Sequence, residues 1–155
     1  VQVTPLEADW IDSLYEIRGA LDALATKLAA QKKACIDPSL LAAGLAATES
    51  GNMQAIIDAD LAFHTAIYRA SGNPLIEASA HTHWGHLRRV MGAVHQVSAT
   101  RSSLWDEHAA IAQAIGAGDV ARAVSLSENH IACAQAGLGS NLSRLLETHE
   151  DASGA

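Results

Sequence analysis

Apolar positions recur at three- and four-residue steps along most of the chain, the period of a helix that buries one face. Trp10, Leu14, Ile17, Leu21 and Leu28 follow this step and predict a long first helix from about Ala8 to Lys32. Asp37-Pro38 reads as an N-cap followed by proline at the first helical position, opening a short second helix. A third is expected from about Met53 to Ala70, ending at the breaker cluster Ser71-Gly72-Asn73-Pro74. The fourth starts at Pro74 and runs to about Val97, and the fifth runs from near Ser102 to Gly116-Ala117-Gly118. Asp119 caps a sixth that reaches about Leu138 and continues, past Gly139, to about Glu147. Short loops between long helices make neighbours antiparallel, so the pattern predicts an all-α antiparallel bundle of about six to seven helices. Val1 to Pro5 alternates like the end of a β-strand and lacks a starting methionine. Residues 1–7 therefore read as the end of a linker or wing from a preceding domain, 8–148 as the helical domain, and 149–155 as a disordered polar tail.

Composition sharpens this picture. Hydrophobic residues make up 49% of the chain but aromatics only 4%, and the apolar share is rich in alanine and leucine, the best helix formers. A formal net charge of −7 with ten scattered basic residues argues against this domain gripping nucleic acid by itself, since phosphate binding needs clustered lysine and arginine. No apolar run is long enough to span a membrane, and no charged-then-apolar leader opens the chain. Cys35 and Cys133 stand far apart, which suggests neither a disulfide framework nor a thiolate metal site and fits a cytoplasmic setting. Eight histidines in 155 residues are the compositional oddity.

Asp60 and His64 lie one helical turn apart, on the stripe that also carries Ile57, Leu61, Ile67 and Tyr68. Both polar groups therefore point into the core, where a carboxylate needs a partner to offset its desolvation. Taken alone, the pair is as well read as an Asp–His hydrogen bond satisfying itself. His108 lies about ten residues before the Gly118-Asp119 turn and His130 about eleven after it. At about 1.5 Å per residue in each direction, the two imidazoles sit at nearly the same height on antiparallel neighbours. His108 shares its stripe with Leu104, Ile111 and Ile115; His130 shares its own with Val120, Ala123, Ile131 and Ala134. A lone histidine on an apolar face is usually a satisfied core residue, but three with an aspartate on inward faces of three helices form a candidate metal site. Imidazole and carboxylate suit zinc, nickel, manganese or iron rather than copper(I), with zinc the leading choice.

At these residues the chain resembles a known family. Asp60-Leu61-Ala62-Phe63-His64-Thr65-Ala66-Ile67, followed by Ala70-Ser71-Gly72-Asn73-Pro74-Leu75-Ile76, looks like a signature of the FadR C-terminal domain, found in GntR-superfamily transcription regulators. His108-Ala109-Ala110-Ile111-Ala112-Gln113-Ala114-Ile115, with Gly118-Asp119, Ala123 and His130, resembles the family's second histidine motif. The first helix is similar as well, from Leu14 to Asp22, although Asp22 stands where glutamate is commoner. The resemblance implies a ligand-sensing domain, with Asp60, His64, His108 and His130 as metal ligands and a small organic acid beside the metal. It also implies a winged-helix DNA-binding domain ahead of this one, through which operator DNA would be bound.

The resemblance further implies that arginines of the first and fourth helices face the effector. Arg18, Arg88 and Arg89 are the candidates; the alternative pairs Arg18 with Asp22 at the surface and leaves one of the other two solvated. His81 is about as far beyond the Asn73-Pro74 turn as His64 is before it and is a further pocket candidate. His81 and His83 point away from each other, and His86 stands where the family often has arginine. His95 and His149 read as surface residues, and Trp84 and Trp105 as core or pocket wall. The first and fourth helices have apolar residues on more than one side, such as Leu75, Ile76, Leu87 and Val90, predicting a homodimer. The competing reading is a metal-dependent enzyme with a His3Asp bundle site. It needs a general base, and Glu77, Asp106 and Glu107 are the nearest carboxylates, none evidently inward.

Overall fold

The computed structural model describes residues 5–94 and 104–154. Six α-helices account for nearly all of them: α1 (Pro5–Gln31), α2 (Pro38–Ser50), α3 (Met53–Ala70), α4 (Pro74–Val94), α5 (Leu104–Ala117) and α6 (Val120–Ser153). No strand occurs among the described residues, so the expected all-α bundle holds. Of the strand-like start, residues 1–4 lie outside them and Pro5 already opens α1, so the helix begins within the stretch read as a linker. His95 and the last turn expected of α4 also lie outside, as do the side chains of Val90 and His149.

Local chemistry fixes the helix ends. Asp37 caps α2 by accepting from the Ser39 amide, with Pro38 just inside, and Asn52 caps α3 by accepting from the Ala55 amide. The α5–α6 corner needs a left-handed residue, supplied by Gly118 at φ 73°, after which the Asp119 carboxylate accepts from the Arg122 amide. Lys32 reaches from the end of α1 to donate to the Ser71 carbonyl at 2.7 Å, capping the end of α3.

Helix α1 packs against α3, α4, α5 and α6 and is the central element. It runs antiparallel to α6: Gly19 faces Ile131, and Gln135 donates to Asp12 at 3.1 Å. Its buried stripe is Ile11, Leu14, Tyr15, Arg18, Asp22, Ala25, Thr26, Ala29 and Ala30. This differs from the apolar pattern, because Trp10 and Ile17 are about half exposed. Arg18, Asp22 and Thr26 are polar yet fully inside, so counting apolar residues turned the helix off its true inward axis.

Two further expectations are corrected. Helix α6 does not stop before the tail but stays helical through Ser153, since no proline or left-handed glycine interrupts Gly139 to Ser153. Ile76 and Leu87 are core residues, 2% and 0% exposed, and not part of an outer face; Leu75 remains exposed at 73%. On α1, the other helix expected to carry apolar residues on more than one side, Trp10, Ile17 and Leu24 recur every seven residues and are all exposed.

Candidate metal centre

The middle of the bundle is polar. Asp60 and His64 from α3, His108 from α5 and His130 from α6 are all buried, and each brings one potential ligand atom to within 4.8 Å of the others. Asp60 Oδ1 stands 3.2 Å from His108 Nε2 and 3.4 Å from His64 Nε2, while His108 Nε2 stands 3.2 Å from His130 Nε2. Ligands on a zinc ion with bonds of about 2.0–2.1 Å would stand about 3.3–3.4 Å apart in a tetrahedron, so these separations are of the right size. The matched heights of His108 and His130 about the Gly118-Asp119 corner bring the two rings to 4.7 Å between centroids.

The far sides of two rings are held by carboxylates. His64 Nδ1 lies 3.2 Å from Asp22 Oδ2, and His130 Nδ1 lies 2.7 Å from Glu107 Oε2. A proton on each Nδ1 faces these carboxylates, in a hydrogen bond with Glu107 and a close charge contact with Asp22, and turns each Nε2 lone pair toward Asp60 and His108. Carboxylate oxygen and imidazole lone pairs thus converge on one point, and the buried Asp60 Oδ1 receives no hydrogen bond. The donor set and its orphaned oxygen fit a cation.

Electrostatics agree with this. Burial alone would raise the Asp60 pKa, but the flanking His108 and His64 outweigh it and hold the carboxyl well below its usual range. Burial lowers His108, and burial with the neighbouring His64 and His108 pushes His130 down to about 2, so both offer neutral nitrogen. Burial would also lower His64, but Asp22 and Asp60 reverse it and raise its affinity for a proton, and by the same attraction for a metal ion.

Beside the cluster lies an arginine. Arg18 is 3% exposed; its guanidinium lies over the Trp84 ring at 4.3 Å, 3.7 Å from Asp22 Oδ2 and 3.4 Å from His64 Nε2. Tyr68 donates a short hydrogen bond to Asp22 and accepts one from Trp84 Nε1 at 3.1 Å. The Nε of Arg18 has no hydrogen-bond partner.

A family model for the FCD domain matches residues 13–132, a span that holds all four cluster residues together with Arg18 and Asp22. The chain belongs to the FCD family. FCD domains are the ligand-binding domains of GntR-type transcription regulators, which are not enzymes. Among curated proteins no match is found.

The structure separates the other expected FCD site residues from the cluster. Arg88 is bound to Asp58 at the surface, Arg89 to His86, and His81, about half exposed, lies 3.8 Å from Glu77 Oε1. The reason is desolvation: these side chains have exposed partners, and burying a guanidinium without a buried carboxylate is costly. Arg18 has such a carboxylate in Asp22, and the pair is buried, not at the surface. Asp22, Tyr68 and Glu107 stand beside the cluster, a role that the sequence pattern alone gives to none of them. Asp22 was findable from its four-residue step after Arg18 on a stripe shared with Leu14 and Ala25. Glu107 was not, because it sits off the face of His108 and reaches a ligand on the next helix.

Proposed function

We propose that this FCD domain senses a small carboxylate through a divalent metal ion, zinc first and nickel, manganese or iron otherwise, held by Asp60, His64, His108 and His130. The observation that carries this reading is the convergence of a carboxylate oxygen and imidazole nitrogens on one buried point beside the guanidinium of Arg18. One aspartate and three neutral histidines around M²⁺ leave net positive charge in a water-poor core, which favours an anion there. Arg18 would share the effector's carboxylate with the metal, a role suited to its planar fork. Once loaded, the ion supplies Lewis acidity toward the effector. The residues around it fix the ligand rings and exclude water.

The domain would act in a cytoplasmic GntR/FadR-type regulator whose preceding winged helix-turn-helix carries the DNA contacts. No helix among the described residues is long and apolar enough to cross a membrane. FCD domains of this family generally dimerise, and the exposed Trp10, Ile17 and Leu24 stripe on α1 supports a homodimer here. Effector binding would be read out as a shift between two arrangements of the dimer, one of which the ligand prefers.

Calorimetry tests the core of this. Small di- and hydroxycarboxylates should bind the metal-loaded protein and bind at least tenfold more weakly after the metal is stripped or after Arg18→Ala. Equal binding in all three samples would show that the carboxylate site lies elsewhere.

A further inference from the structure

The three histidines of the centre are not held alike. His64 has Asp22 behind its Nδ1 and His130 has Glu107, but His108 Nδ1 has no hydrogen-bond partner at all. What holds the His108 ring is aromatic packing on two sides. Phe63 stacks on it at 4.2 Å and 16°, and Trp105 packs against it in a T-shaped pair at 4.6 Å and 82°. Phe63 comes from the same helix as Asp60 and His64, so its place is tied to the cluster. Trp105 is anchored elsewhere, on α2.

That anchor is built from two residues. Thr48 Oγ1 accepts from Trp105 Nε1 at 3.1 Å and donates to the Gly44 carbonyl at 2.9 Å, which fixes the rotation of the indole. Gly44 is buried, and the outer ring of the indole lies directly on its Cα. A methyl group there would overlap Cζ2, Cε2 and Cη2 of Trp105, so no larger residue leaves the indole where it is. Helix α2 contributes no ligand to the cluster, yet it sets the depth of the ring that sets His108.

We infer that Gly44 and Thr48 of α2 are positioning residues of the metal centre, acting through Trp105 to aim the imidazole of His108, which lacks a carboxylate of its own. This rests on the metal reading above. It adds that α2, through a contact between a glycine and an indole, governs one corner of the coordination shell.

Cobalt(II) is the probe, because its visible absorption reports the geometry and number of its ligands. The full 155-residue chain should bind one Co²⁺ with a spectrum that His108→Ala changes. Gly44→Ala should weaken Co²⁺ at least tenfold, the scale seen when supports of ligand histidines are lost, and should alter the absorption band. Gly44→Ala with Trp105→Phe removes the indole atoms that the methyl group would strike and should recover part of the affinity, with the band displaced as in Thr48→Val because the Thr48 hydrogen bond goes with the indole. Thr48→Val, which frees the indole's rotation while leaving the fold intact, should shift the band with a smaller loss of affinity, and serves if Gly44→Ala does not fold. A Gly44→Ala protein with wild-type affinity and band overturns the inference and leaves the metal reading standing. So does a Gly44→Ala loss that Trp105→Phe leaves undiminished, or an unmoved band in Thr48→Val. A wild-type chain that takes up no Co²⁺ sensitive to His108 removes the metal reading, and the inference with it.

Discussion

Helices α3 and α4 are consecutive, similar in length and both rich in titratable residues, yet among the described ones only α3 takes any into the core. On α3, Asp60 and His64 are buried between Ile56, Ile57, Phe63, Ile67 and Tyr68. On α4, His81, Arg88 and Arg89 face outward to Glu77, Asp58 and His86, and the ring of Trp84 is what its described side chains bring against the centre. The difference lies in what each polar group meets. A charge is buried only where countercharge is buried with it. Asp60 meets His64, whose proton affinity is raised, together with His108, whereas the α4 arginines meet carboxylate or imidazole at the surface.

Four measurements would break or sharpen this contrast. The largest effect belongs to the ligands. Asp60→Ala or His130→Ala should take the metal content of purified protein from one ion to none. Stripping the metal from the wild type should cost about 4 kcal/mol where free metal had stood a thousandfold above its dissociation constant. Next comes Arg18→Ala, which leaves Asp22 buried with a lost partner and should destabilise by about 3–5 kcal/mol in urea unfolding. Recovery of most of that loss in Arg18→Met with Asp22→Leu would locate the cost in the unpaired charge. Glu107→Ala should lower metal affinity about 10–100-fold with little change in the metal-free melting curve, because it holds the far side of His130. The smallest effects belong to α4: Arg88→Ala, Arg89→Ala and His81→Ala should each change stability by under about 0.5 kcal/mol and leave metal content and carboxylate binding as they were. A strong loss of carboxylate binding in Arg88→Ala would erase the contrast between the two helices.

The same contrast explains how much could be read in advance. Helix boundaries were legible because they are local chemistry: Asp37-Pro38, Ser71-Gly72-Asn73-Pro74 and Gly118-Asp119 each end or start a helix within a few residues. The cluster was legible because its four members interrupt apolar stripes, and a turn of known length levels His108 with His130. Arg18 and Asp22 were harder. They lie on the stripe of α1 that faces the other helices, but they are charged, and an (i, i+4) ion pair usually marks a solvent face. Ile76 and Leu87 show the converse, apolar residues assigned to an outer surface that belong to the core. Contacts such as Glu107 to His130, or Gly44 to Trp105, join helices whose relative rotation no local pattern encodes.

Burial of the centre has a kinetic consequence. His108 is 0% exposed and Asp60, His64 and His130 are 5% or less, with Phe63, Trp84 and Trp105 also buried about them. An ion at that depth would be met by effector or chelator alike only when the helices open locally, and would leave only then. Its exchange therefore waits on local opening of the bundle, which is far rarer than ligand exchange at a surface ion. The rate of metal removal should rise with chelator concentration only to a plateau, and the plateau measures how often the core opens. A domain of this kind would keep its ion through many cycles of effector binding and release, with the opening rate setting how long it remembers which metal it was first given.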